Sequence, residues 1–314
     1  MTETILVTGS TGFVGACLAK DMLKKGNEVH VIIRKNSNTW RIKDIIKDLN
    51  IHYGDITHNA SIESVVKDSK PKTILHLATY GGYPFQKDNE KIMETNLKGT
   101  FNLLKACPND ISMFINTGSS SEYGIKLRPM KETDILEPVN FYGTTKAAST
   151  ILCQTWSKQN NIPLITFRLF SVYGYYEDPS RLIPQTIVSC LKRTTPKVDT
   201  PNSVRDFIFI EDIVEAYNLA SKISESRGEI FNLGSGKQST VRYIVDEISK
   251  ITKSNTQPEY TNKLRWKNEP SKWIADISKA KKLFNWQPKN DINQGLRKTI
   301  EWFKENMRLY EKKI

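Results

Sequence analysis

The chain has 314 residues with 38% hydrophobic and 25% charged content, which is enough for one large α/β domain with a smaller second lobe. No apolar run approaches the about 18 residues that span a membrane, and no secretion signal precedes the first apolar segment, so a cytoplasmic protein without membrane contact is predicted. The net charge of +12 is scattered without interleaved aromatic residues and the four cysteines form no CxxC pair, which predicts neither nucleic-acid binding nor a metal site.

Short apolar segments alternate with amphipathic ones through the first half of the chain. Residues 4–8 predict a buried strand, residues 13–25 a helix that ends at Gly26, and residues 28–33 a second strand. Further strands are predicted over 73–77, 113–116 and 163–168, and helices over 94–106 and 141–157. Strands that alternate with helices of this length predict βαβ units in a parallel, doubly wound sheet.

A glycine-rich turn joins the first strand to the first helix, with glycines in the spacing GxxGxxG. A strand, glycine turn and helix in this order present backbone N–H groups to a pyrophosphate, and a Cβ atom would block that approach. The turn therefore predicts a dinucleotide site. Its candidate residues are Gly9, Thr11, Gly12, Phe13, Val14 and Gly15.

The end of the second strand discriminates between two cofactors. An acidic residue there binds the adenosine ribose hydroxyls of NAD, whereas an arginine accommodates the additional phosphate of NADP. This chain has Arg34 and Lys35, followed by Ser37 and Arg41, and no carboxylate among them. Cationic groups match a phosphate dianion, so the sequence favours NADP(H) and leaves NAD(H) as the alternative.

Other residues near strand ends are predicted to contact the same cofactor. Asp55 follows a short strand and is expected near the adenine amine, with Ile56 beside it. Asn96, early in its helix, is expected to hold the backbone at the sheet edge. The remaining candidates are Leu77, Ala78, Thr79, Thr117 and Phe170.

Tyr142 and Lys146 are four residues apart, so they share one face of the predicted helix. Hydride transfer at a C–O centre needs a group that takes or gives the hydroxyl proton, and a tyrosine does so when a positive charge lowers its pKa. A second YxxxK match at 83–87 contains Pro84, in an irregular glycine-flanked loop. A hydroxyl from the run 117–121 is predicted to complete a Ser/Tyr/Lys set.

The alternation of strands and helices loosens after about residue 174, where tyrosine, proline and charged residues interrupt it. We predict that residues 1–174 form the NAD(P)-binding Rossmann domain. Residues 175–314 would form mainly a smaller α/β substrate-binding lobe, with part of 204–236 returning to the first domain. Terminal helices are predicted over 276–285 and 296–306.

The motifs together resemble the extended short-chain dehydrogenase/reductase superfamily, in its nucleotide-sugar epimerase/dehydratase branch. The resemblance covers nearly the whole chain and implies a Rossmann fold, a nicotinamide cofactor and a nucleoside-diphosphate-sugar substrate. The segments that carry it are 9–15, 76–78, 96–100, 119–124, 142–146, 204–208 and 284–288.

The resemblance also implies roles for individual residues. Ser119, Tyr142 and Lys146 match the catalytic set, and Arg205 matches the arginine that grips the substrate diphosphate. Arg181 belongs to the segment that lines the nucleotide pocket. The other implied substrate contacts are Tyr80, Tyr83, Ser120, Ser121, Ser171 and Leu182.

This chain departs from the family pattern in ways that bear on the reaction. The 4,6-dehydratases place an acid–base pair directly after the catalytic hydroxyl residue, where this chain has Ser120 and Ser121, and the nearest carboxylate, Glu122, comes one residue late. A serine cannot remove a proton from C5 as a carboxylate does, so dehydration is disfavoured. Arg34 is closer to NADP-using members, and Ser171 replaces the family's asparagine.

These features predict redox chemistry at C4 of a nucleoside-diphosphate sugar. The leading hypothesis is reduction of a 4-keto-6-deoxy sugar by NADPH, because residues 76–82 and 205–212 resemble deoxysugar 4-ketoreductases. The alternative is a 4-epimerase that retains NAD and uses the same catalytic set. A 4,6-dehydratase, or a non-catalytic NAD(P)-sensing or RNA-binding relative, is less favoured. Surface polysaccharide synthesis is the expected pathway.

The resemblance further implies a homodimer. Family members commonly pair two helices per subunit into a four-helix core, and the matching helices here are 94–107 and 142–157. The candidate contacts are Leu103, Leu104, Ile151, Leu152 and Trp156.

Overall fold

The alternating segments of the first half build a seven-stranded, fully parallel sheet. The computed structural model describes residues 2–223, 225–261 and 270–310. With strands numbered along the chain, the order across the sheet is β11 (Arg227–Leu233), β6 (Leu164–Leu169), β5 (Met113–Ser119), β4 (Thr73–His76), β1 (Thr4–Thr8), β2 (Glu28–Ile33), β3 (Asn50–Tyr53). The order reverses direction between β1 and β4, where doubly wound sheets open a crevice at the carboxyl ends of their strands.

Helices cover both faces of this sheet, because successive strand residues point to opposite sides and both sides are apolar. The helices are α1 (Phe13–Lys24), α2 (Asn59–Ser69), α3 (Asn89–Met93), α4 (Gly99–Ala106), α5 (Phe141–Asn160), α6 (Leu182–Leu191), α7 (Ile210–Leu219), α8 (Val241–Thr252), α9 (Ser278–Phe284) and α10 (Ile292–Asn306). Val7 and Ile115 pack toward α1 and α7, whereas Leu6, Ile74 and Phe114 pack toward α2, α4 and α5.

The predicted elements and the observed ones differ mainly at their ends. The first two strands coincide with their predicted bounds, but β5 continues three residues beyond the predicted end, to Ser119. The helix predicted over 94–106 is the second part of a longer composite of α3, a π-helical segment (Glu94–Lys98) and α4. Such π-helical turns are rare and often occur at functional sites. This one carries the buried Asn96.

The second half of the chain adds short strand pairs above the carboxyl edge of the sheet. β7 (Ser171–Tyr173) pairs with β10 (Phe207–Phe209), β8 (Lys197–Asp199) with β13 (Glu259–Thr261), and β9 (Val204–Arg205) with β12 (Ser239–Thr240). The chain then returns to the main sheet through β11. Across the described residues, none of the helices has the length and apolarity needed to cross a membrane.

His76 connects three elements beneath the carboxyl edge of the sheet. At the end of β4, its buried ring is hydrogen-bonded to the hydroxyl of Thr8 in β1 (2.7 Å) and to the hydroxyl of Thr100 in α4 (2.9 Å). Burial lowers the pKa of His76 to about 3, and the nearby charge of Lys146 acts in the same direction. The imidazole is therefore neutral in the folded protein.

We expect His76 to make the stability of the protein depend on pH between about 3 and 6.5. In this range an unfolded histidine binds a proton that the folded one does not, so stability falls as the pH falls, by up to about 1.4 kcal/mol per pH unit. Urea unfolding at several pH values should show a shallower dependence in His76→Gln. The exposed His58→Gln is the control, and an equal slope in wild type and His76→Gln would contradict the prediction.

Candidate active site

A cleft of about 1670 Å³ runs along the carboxyl edge of the sheet, between the sheet and the second half of the chain. All but two of the residues predicted to bind cofactor or substrate line it. One exception is Lys35, which lines a smaller adjoining pocket of about 450 Å³ together with Arg34 and Lys91. The other is Asn96, which lies buried behind the cleft wall.

The glycine turn fits a dinucleotide because its backbone is packed too closely for side chains. Gly9 has a φ of +73°, and a Cβ there would lie 2.6 Å from the backbone nitrogen of Ala78. A Cβ on Gly15 would lie 2.3 Å from the carbonyl oxygen of Gly9. No side chain caps α1 at Gly12, so the first N–H groups of the helix remain available to a pyrophosphate. A dinucleotide would be held here.

The end of β2 presents exposed cationic groups. Arg34 and Lys35 are exposed, and the hydroxyl of Ser37 accepts the backbone N–H of Arg34 at 3.1 Å. Arg41, expected beside them, is instead buried. Its guanidinium donates to the carbonyl of Tyr176 (2.7 Å) and to the carbonyl of Thr11 (3.3 Å), so it joins the glycine turn to the second half of the chain.

Asp55 lies beside this cationic end, at the start of the segment after β3. Its Oδ1 atom accepts the backbone N–H (3.0 Å) and the hydroxyl (2.9 Å) of Thr57. Burial raises the pKa of Asp55, but the bonds from Thr57 and the charge of Arg34 outweigh it and lower the pKa below its ordinary value. Asp55 is therefore an ionised acceptor at the rim of the cleft.

The Ser/Tyr/Lys set is assembled where α5 packs directly against the end of β5. Asn140 caps α5 by accepting the backbone N–H of Gly143 at 2.8 Å. A Cβ on Gly143 would lie 2.5 Å from the carbonyl oxygen of Ser121, so only glycine permits this approach. The contact brings Tyr142 within hydrogen-bonding reach of Ser119. The Ser119 hydroxyl accepts the N–H of Ser121 (3.1 Å), which leaves its own proton for Tyr142.

Burial dominates the electrostatics of the tyrosine and lysine. It raises the pKa of Tyr142, while hydrogen bonding with Ser119 and Thr79 and the charge of Arg181 lower it. Lys146 is buried, and its pKa is lowered by burial against the opposing charge of Glu122. In the structure the ammonium of Lys146 donates to the carbonyl of Thr117, so it is anchored at the end of β5.

A buried ion pair supports Ser119, the last residue of β5. Glu122 accepts the backbone N–H of Ser119 at 2.8 Å with Oε1 and the Nε–H of Arg168 at 2.7 Å with Oε2. Arg168 also donates to the Tyr123 hydroxyl (2.9 Å), which in turn donates to Asn232 at 2.7 Å. Sequence reasoning noted Glu122 but missed Arg168, because its position within an apolar strand reads as core.

Asn96 positions the loop that follows β4. Its Oδ1 accepts the Thr79 hydroxyl (2.9 Å) and the Tyr80 N–H (2.8 Å). Its Nδ2 donates to the Tyr80 carbonyl (2.9 Å) and to the Thr145 hydroxyl (3.0 Å). All four hydrogen bonds are internal, so Asn96 acts through the loop rather than by touching a cofactor.

The second half of the chain closes the other side of the cleft. Arg181 donates to the carbonyl of Gly82 at 2.5 Å, and its guanidinium lies 4.7 Å from the ring centre of Tyr83. Trp273 donates from its indole to the Ser120 hydroxyl at 3.2 Å. The guanidinium of Arg205 lies 5.6 Å from the Trp273 ring centre. No local sequence pattern marked Trp273 as a site residue.

A doubly wound parallel sheet, a glycine turn under its cleft and a Ser/Tyr/Lys set that lines this cleft together define a nicotinamide-dependent protein of the short-chain dehydrogenase/reductase class. The sequence profile of the NAD dependent epimerase/dehydratase family matches residues 5–234. The chain belongs to this family, which confirms the predicted family and fold class.

Similar proteins cover nearly the whole chain. A UDP-glucuronate 4-epimerase from Thermodesulfobacterium geofontis is 28% identical, with 97% of each chain covered. A UDP-glucose 4-epimerase from Lactobacillus helveticus is 26% identical, with 98% of this chain and 99% of the relative covered. The crystal structure of UDP-glucuronic acid 4-epimerase from Bacillus cereus, in complex with UDP-glucuronic acid and NAD, is 26% identical with a TM-score of 0.82, covering 96% and 99% of the two chains.

Removing one member of the Glu122–Arg168 pair should destabilise the protein strongly. Arg168→Met leaves a carboxylate buried without its partner, which costs about 3–5 kcal/mol, and adding Glu122→Gln should recover part of the loss. Urea unfolding measures both changes. Lys298→Met, which breaks the half-exposed pair with Glu211, is the control and should cost about 0–1 kcal/mol. An equally small loss in Arg168→Met would contradict the prediction.

Proposed function

We propose that this protein is a 4-epimerase of UDP-sugars that retains NAD. The observation that carries the proposal is the arrangement around Ser119. The proton-transfer set opens to the cleft, and both carboxylate oxygens of the nearest acid, Glu122, are already bonded inside the protein. This site therefore supports reversible proton transfer at one hydroxyl, as epimerisation at C4 requires. The similarity to UDP-sugar 4-epimerases, one of them with NAD bound, favours epimerisation over the reduction that the sequence predicted.

The residues of the chain would divide the reaction as follows. Tyr142 takes the proton of the 4-hydroxyl and later returns it, while Ser119 donates a hydrogen bond to the same oxygen. The ammonium of Lys146 holds the end of β5 through the Thr117 carbonyl, and Lys146 follows Tyr142 by one turn on the same face of α5. When bound, NAD would supply the hydride acceptor and donor that inversion at C4 needs.

Dehydration is a poor match to the same geometry. Loss of water across C5 and C6 needs a base that removes the C5 proton, and Ser120 and Ser121 occupy the positions after Ser119. The Ser120 hydroxyl also accepts the indole N–H of Trp273. The similarity to 4-epimerases that act on UDP-glucuronate and UDP-glucose supports the UDP-sugar class of substrate.

A 4-keto-6-deoxy-sugar reductase that uses NADPH is the second candidate, and one observation favours it. The pocket at the end of β2 is lined by Arg34, Lys35 and Lys91, and residues 33–41 contain no carboxylate. Such a site matches the additional phosphate of NADP. The similar Bacillus cereus structure contains NAD, which supports the first candidate.

We also propose a division of labour along the chain. Residues 1–174 supply the glycine turn, the Ser/Tyr/Lys set and the contacts at the end of β2. Residues 175–314 would mainly bind the nucleotide and the sugar, with Arg181 and Arg205 nearest the diphosphate. β11, which lies in the main sheet, is the part that returns to the first domain.

The two candidates separate in one set of measurements on the purified protein. We expect NAD in the supernatant after denaturation, and interconversion of UDP-glucose with UDP-galactose or of the two corresponding uronates. Tyr142→Phe should lower kcat by about 10²–10⁴-fold with NAD still bound, whereas the exposed Tyr243→Phe should not. An empty protein that prefers NADPH and reduces a 4-keto-6-deoxy nucleotide sugar would establish the second candidate and overturn the first.

Two of the predicted dimer contacts are wrong, but other apolar side chains on the same helices are exposed and support a dimer. Leu103 and Leu104 are buried in the subunit core, so they do not contact another subunit. Exposed apolar side chains nevertheless remain on the same helices, with Met93 47%, Phe101 40% and Ile151 54% exposed. We propose that this surface of the α3–α4 segment and α5 pairs with its copy in a homodimer.

Light scattering at micromolar concentration should give the mass of a dimer. Ile151→Glu should shift the mass to that of a monomer, because a charge would be buried in the apolar interface. Leu283→Glu on α9 is the matched control, since Leu283 is 49% exposed and lies outside the proposed surface. A monomeric wild-type protein would contradict the proposal.

A further inference from the structure

The turn that follows β7 has an unusual backbone. Tyr176 has a φ of +63°, which is rare for an aromatic residue and persists only where the surrounding structure holds it. Arg41 donates to the carbonyl of Tyr176 at 2.7 Å, and the Tyr310 hydroxyl donates to the carbonyl of Glu177 at 2.8 Å. The Cys17 thiol lies 3.7 Å from the carbonyl of Tyr175. Groups from three separate parts of the chain therefore hold this turn in place.

The side chain that the turn positions is a buried carboxyl that is incompletely bonded. Glu177 is 8% exposed and lines the cleft, and its Oε2 atom has no hydrogen-bond partner among the residues that the structure describes. The adjacent Asp178 differs, because its Oδ1 accepts both the N–H (3.0 Å) and the hydroxyl (2.6 Å) of Ser180 and its Oδ2 pairs with Arg41. A buried oxygen without a partner is destabilising, so its presence at this position indicates a role in binding rather than in stability.

The groups around Glu177 define what it can bind. Burial raises the pKa of Glu177 to about 8, the charges of Arg181 and Arg41 lower it, and that of Asp178 raises it further. The charge of Glu177 in turn raises the pKa of Tyr83, Tyr173 and Tyr310. With a pKa of about 8, Glu177 is largely protonated near neutral pH and presents an uncharged carboxyl to the cleft. A ligand hydroxyl, which both donates and accepts hydrogen bonds, is the complementary partner of such a group.

We propose that Glu177 is a substrate-binding residue whose Oε2 accepts a hydrogen bond from a ring hydroxyl of the sugar. The assignment rests on the proposed function, because it takes a nucleotide sugar as the ligand of the cleft. Tyr83 lies in the loop that faces the sugar by family resemblance, and both Tyr83 and Glu177 line the cleft. The segment that carries Glu177 continues to Arg181, whose guanidinium lies 4.7 Å from the ring centre of Tyr83, which supports a position of the carboxyl on that side of the cleft.

The same turn connects sugar binding to the cofactor site. The guanidinium of Arg41 donates to the Thr11 carbonyl in the glycine turn and to the Tyr176 carbonyl beside Glu177. A dinucleotide bound at the glycine turn would therefore fix, through Arg41, the backbone that carries Glu177. The position of the carboxyl that binds the sugar hydroxyl thus depends on the glycine turn.

The test compares UDP-glucose with UDP alone, titrated calorimetrically into the NAD-saturated protein. Glu177→Met removes the carboxyl at similar volume. Glu211→Gln is the matched control for loss of a nearby charge, because Glu211 accepts the Tyr175 hydroxyl beside the same turn and does not line the cleft. We expect Glu177→Met to weaken UDP-glucose binding about tenfold, with the Kd values of UDP and NAD changed less than about twofold. Its Tm without ligand should equal or exceed that of wild type, because the unpaired oxygen is gone. Glu211→Gln should bind both ligands as wild type does.

Other outcomes overturn the assignment in distinguishable ways. Equal weakening of UDP and UDP-glucose with a lower Tm would show a structural role for Glu177. A selective loss of NAD affinity would place the contact on a ribose. Unchanged binding of UDP-glucose by Glu177→Met would remove the contact altogether. Failure of wild type to bind UDP-glucose, UDP-galactose and UDP-glucuronic acid would instead reject the proposed function, and the assignment with it.

Discussion

The geometry of the active site depends on one buried ion pair. Glu122 and Arg168 meet beneath the end of β5, in an interior where unpaired charges are far more costly than in water, and each needs the other there. Because Glu122 also accepts the N–H of Ser119, the pair sets the direction in which the strand ends and hence the direction of the Ser119 hydroxyl. Arg168 extends the same network through Tyr123 to Asn232 in β11, so the edge strand that the chain adds late in its sequence is bonded to the catalytic turn. Packing completes what the ion pair begins, since Gly143 lets α5 rest on the turn itself.

The same interaction limits the chemistry. Glu122 follows Ser120 and Ser121 and lies close to the catalytic Ser119, a position from which a carboxylate could act as a base. One of its oxygens is committed to Arg168 and the other to the backbone, so withdrawing the carboxylate would leave the guanidinium and the Ser119 N–H unpaired in the core. The acid that holds the site together is therefore the acid least able to take a proton from a sugar. The positions after Ser119 therefore decide whether the site can dehydrate a sugar. The Ser/Tyr/Lys set does not decide the reaction, because it serves reductases and epimerases alike.

Sequence patterns predicted the sheet well because its strands are apolar on both faces and its glycine turn has a steric cause that can be read locally. Gly9 and Gly15 are required by close contacts within the turn and the adjacent strand, and Tyr142 and Lys146 by helical spacing. The contributions that were missed or misjudged depend on long-range contacts. Arg41 resembled a phosphate ligand but lies buried against Tyr176, some 135 positions later in the chain. Leu103 and Leu104 looked like dimer contacts because helical periodicity shows that one face is apolar without showing what covers it. Trp273 and Glu177 reach the cleft only through turns in the second half, where no periodic pattern exists.

Reductase and epimerase differ less in how a proton moves than in how long the cofactor stays. An epimerase must hold the dinucleotide through both hydride transfers, whereas a reductase must exchange it in every cycle. The contacts that decide this lie far from Tyr142. At one end Arg34 and Lys35 present exposed cations that suit a phosphate and form no enclosure around it. At the other end Arg41 joins the glycine turn to the turn before Glu177, which couples release of the dinucleotide to the second half of the chain. A dinucleotide that contacts both turns could dissociate only after both had moved, and this coupling supports the retention of NAD that we propose.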